Sequence, residues 1–170
     1  MEQPALKWPA PAGGWTTPPT QRVALLATTR PIALASAEVR KGDVVNVSIA
    51  GLNVLLIRDS AGTLRAFDRT VKGDLFPRFV RKSVVKRPEI GLFDAETRSL
   101  WTMEGKCVEG FAKDEQLKAI RIEEGILWGT EKVYYPQAEM IAAEAIVAGR
   151  AGEDKELEKK PAVGKPARRR

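Results

Sequence analysis

The chain has 170 residues, 44% of them apolar, and a formal net charge of +6, which suits one ordinary domain with its own hydrophobic core. It contains a single cysteine, Cys107, and no histidine, so an intramolecular disulfide, Cys/His zinc sites, and Ser-His-Asp or Cys-His nucleophile pairs are excluded. No run approaches the roughly 18–20 uninterrupted apolar residues needed to span a bilayer.

Composition leaves open a carboxylate-only metal site, or chemistry built on Lys or Asp. Glu2 stands where a secretory signal wants positive charge, and no apolar stretch follows it. The expectation is a cytoplasmic chain without membrane insertion. The excess charge lies at the ends: residues 150–170 carry +4, residues 1–35 carry +2, and the middle is neutral. The basic pI therefore says little about the surface of the folded part.

Pro4, Pro9, Pro11, Pro18 and Pro19 punctuate the start of the chain. Proline at that density opposes helices and central strands, so residues 1–35 read as an extended arm. On composition the arm reads as a floppy terminus; Trp8 and Trp15 support the alternative of a docking arm, since large indoles suit grooves of the chain's own core or of a partner. Both are candidate partner contacts.

Short β runs begin near residue 36. Val44–Ile49 alternates after the turn Lys41-Gly42-Asp43, and Ala50-Gly51 turns into Asn53–Arg58, a continuously apolar run expected to be buried. Asp59-Ser60-Ala61-Gly62 leads into Leu64–Asp68, completing a three-stranded meander. A second β set comprises Glu89–Phe93, Leu100–Thr102, Lys118–Glu123 and Ile126–Thr130, the last two joined by a hairpin turn at Glu124-Gly125. Residues 36–135 thus form the β domain. Residues 136–148 read as one helix, with Pro136 at its first position and Met140, Ile141, Ala145 and Ile146 at helical spacing. The segment 149–170 has too few apolar residues to offset its ordering entropy and is expected to be disordered.

The run from Arg78 to Arg87 holds five cations and no acid: Arg78, Arg81, Lys82, Lys86 and Arg87. It reads as a solvated edge kept from aggregating by charge, or as a docking patch for an acidic partner or nucleic acid. Arg168, Arg169 and Arg170 form a short basic end with the same two readings. Asp68, Asp94 and Glu96 are the carboxylates near strand ends; Asp at such junctions commonly accepts backbone amides in Asx-turns. Trp101 and Trp128 read as strand residues in the core, and Cys107 as a buried small hydrophobe.

The segment AEVRKGDVVNVSIAGLNVLLIRDSAGTLRAFDR resembles the opening three strands of a Rieske ferredoxin-type domain, and IGLFDAETRSLWTMEGKCVEGFAKDEQLKAIRIEEGILWG is similar to its closing strands. The resemblance covers roughly residues 36–130 and implies a mainly β fold: a Rieske-like antiparallel β-sandwich or barrel, here with one C-terminal helix and extended arms. The same stretch resembles the C-terminal half of a bacterial domain-of-unknown-function family, number 3179, through Ala66-Phe67-Asp68-Arg69, Phe93-Asp94 with Ser99-Leu100-Trp101, and Gly125–Gly129 with Tyr135-Pro136. Arg58 and Ala61 stand where that family carries a Cys-Pro-x-Cys pair.

A Rieske cluster needs two cysteines and two histidines on facing loops. The resemblance places those ligands at Val71 and Gly73, and at Lys86 and Glu89, none of which can take that role. The expectation is a domain without a cofactor or catalytic residue: a non-catalytic structural or interaction subunit of a larger protein assembly. The alternatives are a small enzyme or ligand-binding domain that groups Asp68 and Asp94 with Arg81 or Lys82, and a nucleic-acid binder acting through residues 78–87 and the basic C-terminus.

Overall fold

A computed structural model describes residues 14–15, 17–28, 32–71 and 74–151. The strands of its first half are β1 (Arg22–Leu26), β2 (Ile32–Leu34), β3 (Val44–Ile49), β4 (Leu52–Arg58) and β5 (Leu64–Asp68). Then follow β6 (Phe79–Arg81), β7 (Ile90–Asp94), β8 (Ser99–Thr102), β9 (Cys107–Glu109), β10 (Lys118–Ile120) and β11 (Ile122–Leu127). Helix α1 (Trp128–Tyr134), strand β12 (Glu139–Ile141) and helix α2 (Ala143–Gly149) complete the described chain.

The fold is mainly β. Three four-stranded sheets have the orders β11-β1-β2-β12, β10-β5-β4-β3 and β6-β7-β8-β9, and none closes into a barrel. The middle sheet explains why the meander is so apolar. Val45, Val54, Leu56, Leu64 and Ala66 belong to a core shared with the first sheet and Ile146 of α2. Val44, Leu55, Ile57 and Phe67 face the other way, into a core shared with Phe79, Leu92 and Trp101 of the third sheet. Strand β4 is thus covered on both sides, as its unbroken Val-Leu-Leu-Ile run predicts. Each such aliphatic side chain contributes about 1.5–3 kcal/mol by burial.

The β3–β4 hairpin turns through Ala50 at φ 53° and Gly51 at φ 78°, the backbone that two-residue hairpin loops favour because its twist matches the strands. Glycine reaches that region freely, whereas alanine is penalised by its Cβ. Ala50→Asn should therefore stabilise the protein by about 0.5–1 kcal/mol. The check is urea unfolding: a higher midpoint at unchanged slope is expected, and a lower midpoint would contradict it.

Four sequence expectations need correction. Residues 22–26 and 32–34, assigned to the extended arm, are strands β1 and β2 of the first sheet. No hairpin forms at Glu124-Gly125; β11 runs through that pair, with Gly125 at φ 84° and a register shift against β1. Trp128 is buried as expected but opens α1 rather than lying in a strand. The single helix expected over 136–148 is a turn, the strand β12 parallel to β2, and the short helix α2. Backbone pairing outcompeted helical spacing there, because Glu139–Ile141 satisfies the open edge of β2. Residues 152–170, expected to be disordered, and Trp8 with them, lie outside the described residues.

Candidate functional site

Asp94 ends β7, where the chain turns toward β8. It is fully buried. Its Oδ1 accepts the Thr97 amide (2.6 Å) and hydroxyl (2.8 Å), and its Oδ2 accepts the Trp101 indole N–H at 2.7 Å. Ser99 joins the network by accepting the Ala112 amide. Trp101 in turn meets Phe79 edge-on, at 5.3 Å between ring centres. Burial pushes the Asp94 carboxyl above its ordinary range, against the opposing pull of these donors. Asp94 is a structural acceptor of a backbone amide, three residues on rather than the two of an Asx-turn. Asp68 makes the expected Asx-turn, its Oδ1 accepting the Thr70 amide. Glu96 accepts the Arg78 amide at 2.9 Å.

Arg69, buried at the end of the meander, is spent on backbone. Its guanidinium donates to the carbonyls of Val54, Phe76, Pro77 and Val47 and to the Ser48 hydroxyl. Arg58 acts similarly, donating to the carbonyls of Val39, Gly62 and Ser36. Asn46 links the middle and third sheets by a reciprocal pair with Phe79: its amide nitrogen donates to the Phe79 carbonyl (2.9 Å) and its oxygen accepts the Phe79 amide (2.8 Å).

The basic run divides. Phe79–Arg81 forms the edge strand β6. Arg81 donates to the Gly42 carbonyl at 3.0 Å, and Arg87 pairs with Glu89 at 3.2 Å and Glu109 at 2.6 Å. Arg78 and Lys86 are exposed, Lys86 at φ 68° in a turn closed by Val84 and Arg87. Neighbouring carboxylates thus offset part of a charge that looked unopposed in the sequence. The positions aligned with cluster ligands serve other ends: Val71 packs in the core and pairs with Leu75, while Glu89 binds Arg87. Gly73 lies outside the described residues, as do Arg168, Arg169 and Arg170.

An open groove of about 440 Å³ runs beside β6, lined by Lys41, Asp59, Arg81, Lys82 and Met103 among others. Its carboxylate is Asp59, which accepts the amides of Ala61 and Thr63 and is held below the usual carboxylate range chiefly by the Thr63 amide. Asp68 and Asp94 do not line it. In this groove the grouping that a carboxylate-based site required is not formed. Cys107 is buried in β9, and burial pushes its thiol up, away from the reactive thiolate. Among the described residues no cluster of three or more acidic, His or Cys side chains could hold a metal ion, and no helix is long and apolar enough to cross a membrane.

No protein family, curated protein or solved structure matches the chain. Function has to be read from the residues themselves.

The surface that stands out surrounds α1. Trp128 anchors it beneath, in a small core with Val23, Ala33 and Ala138, against which Trp15 also packs. The Trp128 and Gly129 amides donate to the carbonyls of Gln21 and Pro19, so the end of the proline-rich segment satisfies the first turn of the helix. Lys132 closes the other end by donating to the carbonyls of Pro136 and Ala138. On this fixed base Val133, Tyr134 and Tyr135 are 48%, 74% and 51% exposed. In the sequence Tyr135 stood out only as part of a resemblance. The available signal was three consecutive bulky residues at a helix end, where at most one could face inward.

Proposed function

We propose that the chain is a non-catalytic interaction subunit of a larger protein assembly, built on a Rieske-like domain that carries no cluster. The observation that carries this reading is the row Val133-Tyr134-Tyr135, exposed on a helix pinned at both ends. Contiguous exposed apolar and aromatic side chains on a rigid base are what protein interfaces use as anchors, because little side-chain entropy is lost on docking. The reactive groups of the described chain support the same view, since Asp94, Asp68 and Cys107 are committed to turns and cores. Of the two segments that resemble a Rieske domain, the first supplies β3–β5 of the middle sheet, and the second supplies β7–β9 of the third sheet, β10 of the middle one and β11 of the first; the chain has no imidazole for a mixed nitrogen–sulfur site.

The test places a photo-crosslinking phenylalanine derivative at Tyr134 in the source cell, with Ser60, an exposed turn residue, as the control position. A discrete adduct is expected from position 134 and not from 60, and it should disappear when Val133 and Tyr135 are replaced by serine. Equal labelling at both positions, or none at 134, would defeat the interaction reading. Stoichiometric iron and sulfide in the purified protein would defeat the cluster-free one.

A further inference from the structure

One buried charge has no structural employment. Glu131, on the inner side of α1, is only 5% exposed. Its Oε2 is fully buried without a hydrogen-bond partner. Native interiors seldom leave such an acceptor unmatched, because stripping its water costs free energy that nothing returns. Asp94, still more enclosed, receives three protein donors; Glu131 lines a pocket instead.

That pocket, of about 300 Å³, lies between the end of β1 and the C-terminal end of α1. Leu25, Leu26 and Ala27 supply an apolar wall, Tyr135 an aromatic one, and Arg121 and Glu123 the rest of the charge. The volume suits a small ligand. Burial and the negative charge of Glu123 both push the Glu131 carboxyl up, and a neighbouring cation would favour its ionised form.

We propose that this pocket binds a protonated primary amine on a linear alkyl chain, with Glu131 taking the ammonium and Glu123 assisting from the rim. Among the described lining residues two carboxylates stand against one guanidinium, a balance that disfavours an anion. A coordinated metal ion is disfavoured because no third acidic, His or Cys group joins them among the described residues. An ammonium offers three donors on a compact charge, and its methylenes match the leucine wall. The Tyr135 ring adds cation–π attraction. Such an amine has two sources, a free diamine or a lysine side chain of another protein, and their chemistry at Glu131 is the same.

The experiment titrates the full chain, followed by amide chemical shifts, with 1,4-diaminobutane, with Nα-acetyl-lysine methylamide, and with 1,4-butanediol. Saturable shifts confined to β1, β11 and α1 are expected for the amines and not for the diol. Tighter binding of the diamine assigns the site to free polyamines; equal or tighter binding of the lysine derivative assigns it to a protein side chain. Glu131→Gln should weaken amine binding about tenfold or more while leaving the protein at least as heat-stable, because an unmatched buried charge is removed. Glu123→Gln, a change at an exposed residue, should weaken binding severalfold without touching the fold. The proposal fails if neither amine saturates, if the diol binds as well, or if Glu131→Gln binds the amines unchanged.

Discussion

Arg69→Met should lower the unfolding free energy by about 3–5 kcal/mol. The methionine keeps the apolar stem but strands the carbonyls of Val47, Val54, Phe76 and Pro77, each of which accepts from the guanidinium. Desolvation opposes the native contribution, since burial pulls the Arg69 guanidinium below its ordinary pKa, so the loss is smaller than five separate charged hydrogen bonds would suggest. Arg69→Lys should fall between wild type and Arg69→Met, because one ammonium has three donors and cannot reproduce the planar fork. Urea unfolding measures both variants. An Arg69→Met protein within 1 kcal/mol of wild type would mean that the segment around Phe76 and Pro77 is held by other contacts.

Asp94→Ala ranks next, at about 3 kcal/mol, because it leaves the Trp101 indole N–H and the Thr97 amide buried without an acceptor. Asp94→Asn retains one acceptor oxygen and turns an amide donor toward groups that also donate, so about 2 kcal/mol is expected. The pH dependence follows from the raised carboxyl. The folded state holds the Asp94 proton more tightly than the unfolded chain does, so over the interval from the ordinary aspartate pKa up to the raised native value this group makes stability fall as pH increases. Unfolding free energies of wild type minus Asp94→Asn, measured in steps from pH 3 to 7, should decline through that interval. A difference that rises instead would show that the three donors outweigh burial.

The β3–β5 meander was legible because its signals are local and agree with one another, whereas the placing of β10 beside β5 was not. Alternation in β3, the unbroken run of β4, and turn residues at Ala50-Gly51 and Asp59–Gly62 all specify one meander. The first sheet was not legible. Arg22–Leu26 and Ile32–Leu34 are short, rich in Ala and Leu, and preceded by prolines; β1 becomes a strand through pairing with β11, about a hundred residues away. The same distance hid β12, whose Met140 and Ile141 sit at spacing that suits a helix until the edge of β2 claims them. Of the site, Asp68 and Asp94 were readable as turn acceptors from their position at strand ends. Arg69 was not, since its role depends on carbonyls from three separate segments, and no sequence pattern marks Glu131 as buried without a donor.

The first sheet also fixes when the protein can be finished. Its order interleaves the two halves of the chain, with β1 and β2 lying between β11 and β12. During synthesis the β3–β5 meander can assemble as soon as Asp68 has cleared the ribosome. The two N-terminal strands must wait, both outer edges unpaired, until residue 141 emerges. For most of translation they are exposed ribbon edges, the kind that recruit chaperones or stick to neighbouring nascent chains. Truncations that stop short of β11 should therefore aggregate even though the meander they contain is complete.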